Sequence, residues 1–156
     1  MLSTEFNFYL KDIELFYLGC FSSNNYPKKM KKYNFFIVNK DASFEKGSHW
    51  MCVYKGEKEI EFFDSCGGNE EFVKSFLKFS KTMVCVFNET PLQPSTSNSC
   101  GEFCIYFAHK RLLNKDQSFG NVLNRSFTLN KEKNNEKVVK FCQNLLKNWN
   151  FLLQSF

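Results

Sequence analysis

The sequence predicts an α+β fold, a central, mostly antiparallel sheet flanked by helices. Three observations carry this. Short runs of β-branched and aromatic residues, "NFFIVN", "HWMCVY", "EIEFFDS" and "TMVCVFN", fall between residues 34 and 88. A strongly apolar helical stretch, "CGEFCIYFAHKRLLN", follows them. Hydrophobic residues make up 43% of 156, with 20 Phe, enough for one bulky core. No repeat or linker divides the chain, so a single domain, 1–156, is expected.

The elements follow in order. "LSTEFNFYLKDIELFYLGCF" starts with the cap-like Ser3 and Thr4 and reads as a short helix leading into irregular chain. Residues 34–39, 49–54 and 59–65 read as strands, the last two joined by a linker of hairpin length. "NEEFVKSFLKFS" places Phe72, Phe76 and Phe79 on one helical stripe behind an acidic first turn. Residues 82–88 read as a fourth strand, and the Pro-bearing "ETPLQPSTSNS" as a loop. After the apolar helix, Val138, Cys142, Leu145 and Trp149 mark an amphipathic C-terminal helix.

Composition excludes several classes. No apolar run approaches the length of a membrane span, and the first residues lack the pattern of a signal peptide. A soluble, intracellular, monomeric protein is expected. Seven cysteines, an odd number without an export signal, read as reduced thiols rather than a disulfide framework. The net charge is +5. Lys28, Lys29, Lys31 and Lys32, with the later "NKEKNNEKVVK", read either as solvated faces or as a patch for polyanions such as DNA.

The second half carries the chemistry. Cys100, Cys104 and His109 share one predicted helix. At 100° per residue, Cys104 lies about 40° from Cys100 and His109 about 180° away, so one metal cannot take all three. No metal site is expected. Cys100 follows a polar loop and opens the helix. It reads as a structural cysteine, or as a nucleophile whose thiolate the helix N-terminus favours. Gly101 beside it leaves room for a carbonyl to approach. Cys104, amid Phe103, Ile105 and Phe107, reads as a core thiol, and His109 as a helix-surface residue.

A cysteine hydrolase needs a base and a group to orient it. His49 stands where a loop becomes a strand, a position open to solvent but held by the sheet. Asp64 ends the row Ile60, Phe62, Asp64 on one strand face, fifteen residues after His49, the span of one hairpin. It reads as a turn former or as the orienting carboxylate. Glu59 and Glu61 fall on the other face. Gln93, seven residues before Cys100, reads as a surface loop residue or as an oxyanion donor beside the Cys100 backbone N–H.

"GSHWM", "EIEFFDSCGG" and "LQ-x6-CGEFC", in this order, resemble the adenovirus maturation proteases, or adenains. Their clan of cysteine peptidases also contains the ubiquitin-like-protein-specific proteases. "FYLGCFSSNNYP" and "FFIVN" resemble the adenovirus branch further, and the likeness spans roughly residues 14 to 110. It implies a papain-like catalytic arrangement in the permuted order His-Asp-Gln-Cys. Cys100 would be the nucleophile, His49 the general base, Asp64 its orienting group and Gln93 part of the oxyanion hole. Asp64 departs from the Glu more usual in the adenovirus branch. Trp50 would wall the substrate cleft, or serve as a core aromatic. The resemblance also implies polypeptide substrates, in particular capsid or core precursors cut after small, Gly-type residues, and a location in the virion or host nucleus. No cofactor would be needed for the chemistry. DNA and a short basic peptide would stimulate it, the peptide through a disulfide to Cys85, although strand alternation equally makes Cys85 a core residue. Two rivals stand beside this reading: a deconjugating protease for ubiquitin-like modifiers, and a DNA-binding or scaffold protein with an inactive protease fold.

Overall fold

Phe35 and Ile37 point to one side of their strand and Phe36 and Val38 to the other, yet all four are fully buried. Such a strand must be covered on both faces. In the computed structural model, which describes residues 3–27, 29–44, 48–68, 70–77 and 83–154, it is β2 of a five-stranded sheet. The strands are β1 (Tyr17–Ser22), β2 (Phe35–Asn39), β3 (Trp50–Lys55), β4 (Glu59–Phe63) and β5 (Val84–Phe87), side by side in that order. The helices are α1 (Ser3–Tyr9), α2 (Glu70–Leu77), α3 (Cys100–Leu113), α4 (Phe119–Ser126) and α5 (Lys131–Gln154). None of the described helices is long and apolar enough to cross a membrane. The expectations at Lys28, Gly47, Phe79 and Thr82 lie outside the described residues, as do those on the side chains of Ser3, Phe72, Phe76 and Trp149.

The α+β class is the one the sequence predicts, but the sheet is mixed. β2–β3 and β3–β4 pair antiparallel, while β1–β2 and β4–β5 pair parallel. A tight hairpin can join only antiparallel neighbours. The chain crosses over through α2 before it adds β5, and through residues 23–34 before it adds β2. β1 lies where irregular chain was expected. Its register shifts between Tyr17 and Cys20, and Gly19 sits at φ +122°, so it lacks the alternation that announces a strand. α4 follows a capping residue that the sequence reading passed over: Ser118 Oγ accepts the Asn121 N–H at 3.3 Å.

Two cores sandwich the sheet. Phe35, Ile37, Cys52, Tyr54 and Phe63 pack beneath α3 together with α1 and α5, and the Phe63 and Phe107 rings stack 4.3 Å apart. Phe36, Val38, Met51, Val53, Ile60 and Phe62 form the opposite face, covered by Val73 of α2 and by Met30. The expectation that Glu61 lies across the strand from Ile60 and Phe62 places it in the first core. It is fully buried there and receives both Nε and Nη2 of Arg111 at 2.7 Å. The Arg111 guanidinium also lies over the Tyr54 ring, 4.7 Å from its centroid. This fork ties the C-terminal end of α3 to β4 and leaves the N-terminal end of α3 at the mouth of the sheet.

His109 is half-buried on the helix surface and packs on one side. Its Nδ1 hydrogen-bonds the Ile105 carbonyl at 2.9 Å and its ring meets the edge of Phe141 from α5. Cys104 is fully buried beneath the same helix, and burial pushes its thiol pKa well up.

Candidate active site

His49 is the residue just before β3 and Asp64 the residue just after β4. Antiparallel pairing of these two strands sets Cys52 opposite Phe63 and so brings His49 and Asp64 to one sheet end. His49 Nε2 and Asp64 Oδ1 lie 2.7 Å apart, with each side chain about five-sixths shielded from solvent. The imidazole also interacts with the thiol of Cys100, the first residue of α3. Nε2 faces Asp64, so Nδ1 is the ring nitrogen left for the sulfur.

The electrostatics favour an ion pair. Burial opposes charge on both partners and is the largest single influence on each. On Cys100 it is outweighed by the hydrogen bond from His49, the Trp50 backbone N–H, the imidazole charge and the Gly101 N–H, so its thiol pKa falls. On His49 the hydrogen bonds and charges of Asp64 and Cys100 win, and the imidazole rises to about 9. Both shifts favour the thiolate–imidazolium pair over the neutral one.

Asp64 is held by its backbone as much as by its carboxylate. Asn88 is buried; its Oδ1 accepts the Asp64 N–H at 2.9 Å and its Nδ2 donates to the Asp64 carbonyl at 2.6 Å. The Cys66 N–H closes the turn onto Asp64 Oδ1 at 2.8 Å. The following Gly67 has φ +90°, and a Cβ there would stand 2.6 Å from the Glu89 carbonyl oxygen. Only glycine fits so close an approach, which gives "SCGG" its composition.

Gln93 is not a surface loop residue. It is 4% exposed, its Oε1 accepts from the fully buried Ser65 Oγ at 2.7 Å, and its Nε2 donates to the Ser97 carbonyl at 2.7 Å. The Leu92 and Gln93 backbone N–H groups both donate to the Ser65 carbonyl. An amide nitrogen has two hydrogens. The Ser97 carbonyl takes one of them. The loop is tied down further by Ser97, whose Oγ donates to Asn135 of α5 at 2.6 Å.

Sequence reasoning missed Asn88 and Ser65. The adjacency of Ser65 to a candidate carboxylate was the one local signal for the second; nothing local distinguishes the first. Trp50 is half-buried, with its ring edge against Phe6 at 5.1 Å, and packs on the first core. Its backbone N–H serves the Cys100 sulfur. Cys85 is not brought into this cluster. It sits half-buried on the edge strand β5 against the second core, paired with Ile60 four positions before Asp64. Among the described residues, the donor atoms that lie together as a possible ligand set are those of His49, Asp64 and the exposed Cys66.

A mixed sheet with a central helix thus brings a cysteine toward a histidine and a carboxylate at the sheet end, and solved structures share this fold. Among solved structures, a crystal structure of the ASFV pS273R protease shares it, with a TM-score of 0.57 at 15% identity over 85% of this chain and 60% of that one. The selenomethionine structure of the same protease aligns with a TM-score of 0.49 and 22% identity over 75% of this chain and 45% of that one. This chain thus spans about half the length of the protease it resembles. No family model matches the sequence, and no curated protein matches it.

Proposed function

We propose that this chain is a cysteine endopeptidase of the adenovirus-maturation type, acting on structural precursor polypeptides after small, Gly-type residues. The observation that carries the chemistry is the His49 Nε2–Asp64 Oδ1 contact of 2.7 Å on an imidazole whose other side meets the Cys100 thiol. The Cys100 thiolate attacks the scissile carbonyl carbon. The oxygen takes up the charge between the Cys100 N–H and the Gln93 side-chain N–H. His49 gives its proton to the departing amine as the C–N bond breaks, leaving a thioester. It then takes a proton from water, which attacks the thioester and releases the acid and the thiolate. Asp64 keeps the imidazole oriented throughout and stabilises its charged form.

The adenovirus-type specificity is supported by the "GSHWM" and Gln-x6-Cys-Gly motifs. Stimulation by DNA and by a basic, cysteine-bearing peptide belongs to the same reading; the net charge of +5 and the half-buried Cys85 on an edge strand support it. The test is cleavage of candidate capsid-precursor peptides, with and without DNA and such a peptide. Full hydrolysis by Cys100→Ala would refute the peptidase reading. Asp64, where the adenovirus branch more often has Glu, favours the deconjugating alternative. Capture of an electrophilic ubiquitin-like probe, with no cleavage of the precursor peptides, would move the assignment there.

A further inference from the structure

Cys66 has no part in the proposed reaction, yet it stands against the reacting pair. The ligand atoms of His49, Asp64 and Cys66 all lie within 4.8 Å of one another. We propose that these three side chains form an inhibitory zinc-binding site on the side of the imidazole turned away from Cys100. The effect on turnover rests on the peptidase reading above; the binding does not.

The donors suit the ion. Zinc takes imidazole nitrogen, thiolate sulfur and carboxylate oxygen at about 2.0–2.3 Å, which in a tetrahedron sets the ligands roughly 3.3–3.6 Å from each other. The His49–Asp64 contact of 2.7 Å need open by only about 0.6 Å to admit it. The more separated atoms need close by at most about 1.5 Å, a side-chain rotation on a fixed backbone. The backbone is fixed. Asn88 clamps Asp64 on both its N–H and its carbonyl, Cys66 N–H is bound to the Asp64 carboxylate, and Gly67 is pressed against Glu89. All three donors line one cavity of about 340 Å³, in which Cys66 is exposed, leaving room for water as the fourth ligand.

The second nitrogen of His49 completes the arrangement. Zinc on Nε2 replaces the proton there, and the Cys66 thiol proton passes to solvent. Nδ1 keeps its hydrogen and donates it to the Cys100 sulfur, the outer hydrogen bond that a metal-bound histidine usually makes. The ion therefore disables the enzyme without touching its nucleophile. It caps the base and takes the carboxylate away from it. Ordinary chelation by a Cys–His pair would instead consume Cys100 and ignore Cys66.

The difference gives the test. Zinc binding to the full chain carrying Cys100→Ala is measured by competition with a chromophoric chelator, and cobalt(II) is used to read the thiolate-to-metal charge-transfer band. One ion per chain and a cobalt band are expected in Cys100→Ala. In Cys66→Ala/Cys100→Ala the affinity should fall by about tenfold or more and the band should vanish. In the unmutated active site, Cys66→Ala should turn over normally without zinc and need about tenfold more zinc for half inhibition. Loss of binding in Cys100→Ala, or equal zinc sensitivity of Cys66→Ala and the parent, would overturn the proposal. An inactive chain with a Cys66-dependent cobalt band would refute the peptidase reading and keep the site. An active chain whose band needs Cys100 rather than Cys66 would do the reverse.

Discussion

Ser65 Oγ donates to Gln93 Oε1 at 2.7 Å, so the turn that presents the Asp64 carboxylate also fixes the Gln93 amide. Ser65 is fully buried and Gln93 nearly so. Removing the hydroxyl in Ser65→Ala leaves a buried amide oxygen without a donor, which should lower stability by about 1–3 kcal/mol. Gln93→Ala removes the amide itself and should lower kcat by about 10²–10³ with little change in KM. Chemical denaturation and steady-state kinetics on both variants check the pair. A Gln93→Ala enzyme with parental kcat would remove Gln93 from the oxyanion site.

The Cys100–His49 ion pair fixes the sign of the pH dependence. Burial opposes it, but the hydrogen bond and charge of His49 lower the Cys100 pKa from its ordinary value, and His49 holds its proton up to about 9. Alkylation of Cys100 by a neutral reagent should therefore fall off at a lower pH than that of an ordinary thiol. An ordinary thiol, with a pKa of about 8.5, loses roughly tenfold per pH unit through neutrality. His49→Ala should restore that steep loss. Peptide hydrolysis should decline above about pH 9, where His49 no longer carries the proton that the leaving amine needs. Identical alkylation profiles for the parent and His49→Ala would refute the pairing.

Asn88 acts on Asp64 through two backbone hydrogen bonds, at 2.9 and 2.6 Å. Asn88→Ala should cost about 1–3 kcal/mol of stability and loosen the carboxylate. The distinguishing readout is the His49 pKa, followed by NMR of the imidazole. It should move down toward its ordinary value, since a displaced Asp64 supports the charged ring less. A destabilised variant with an unshifted imidazole would limit Asn88 to a structural role.

The Arg111–Glu61 fork is buried at both ends, with the partners 3% and 0% exposed. Breaking one side leaves an uncompensated buried charge, so Arg111→Leu or Glu61→Leu alone should destabilise by about 3–5 kcal/mol. The double variant should recover much of that loss, because no charge is then stranded. Urea denaturation of the three variants measures the coupling, and additive losses would contradict it.

Gly67→Ala tests the turn. The residue would need φ near +90° with its Cβ 2.6 Å from a carbonyl oxygen. A loss of about 1–3 kcal/mol is expected, together with slower turnover as Asp64 shifts. A fully stable, fully active Gly67→Ala would show that the turn tolerates displacement.

Much of the sheet was legible because its cause is local. "FFIVN" and "EIEFF" are strands from their side chains alone, and "CGEFCIYFAHKRLL" is a helix from its apolar run. The order of the reactive residues was legible too. His49, Asp64 and Cys100 are residue types that announce their chemistry, and strand periodicity gave the hairpin span that brings the first two to one sheet end. β1 and the parallel pairings were not legible, since a ladder bonds backbone to backbone and a bulged strand hides its alternation.

What the sequence determined by itself is the inventory: which groups can react, and which segments carry them. The tertiary structure decided what those groups meet. It sank Gln93 beneath a loop that reads as surface, set Asn88 and Ser65 behind the carboxylate, buried Glu61 with an arginine fifty residues away, and placed Cys66 beside His49. Burial and hydrogen-bond partnership depend on segments distant in the chain, whose approach is fixed by how both sheet faces are covered. No local spacing encodes that.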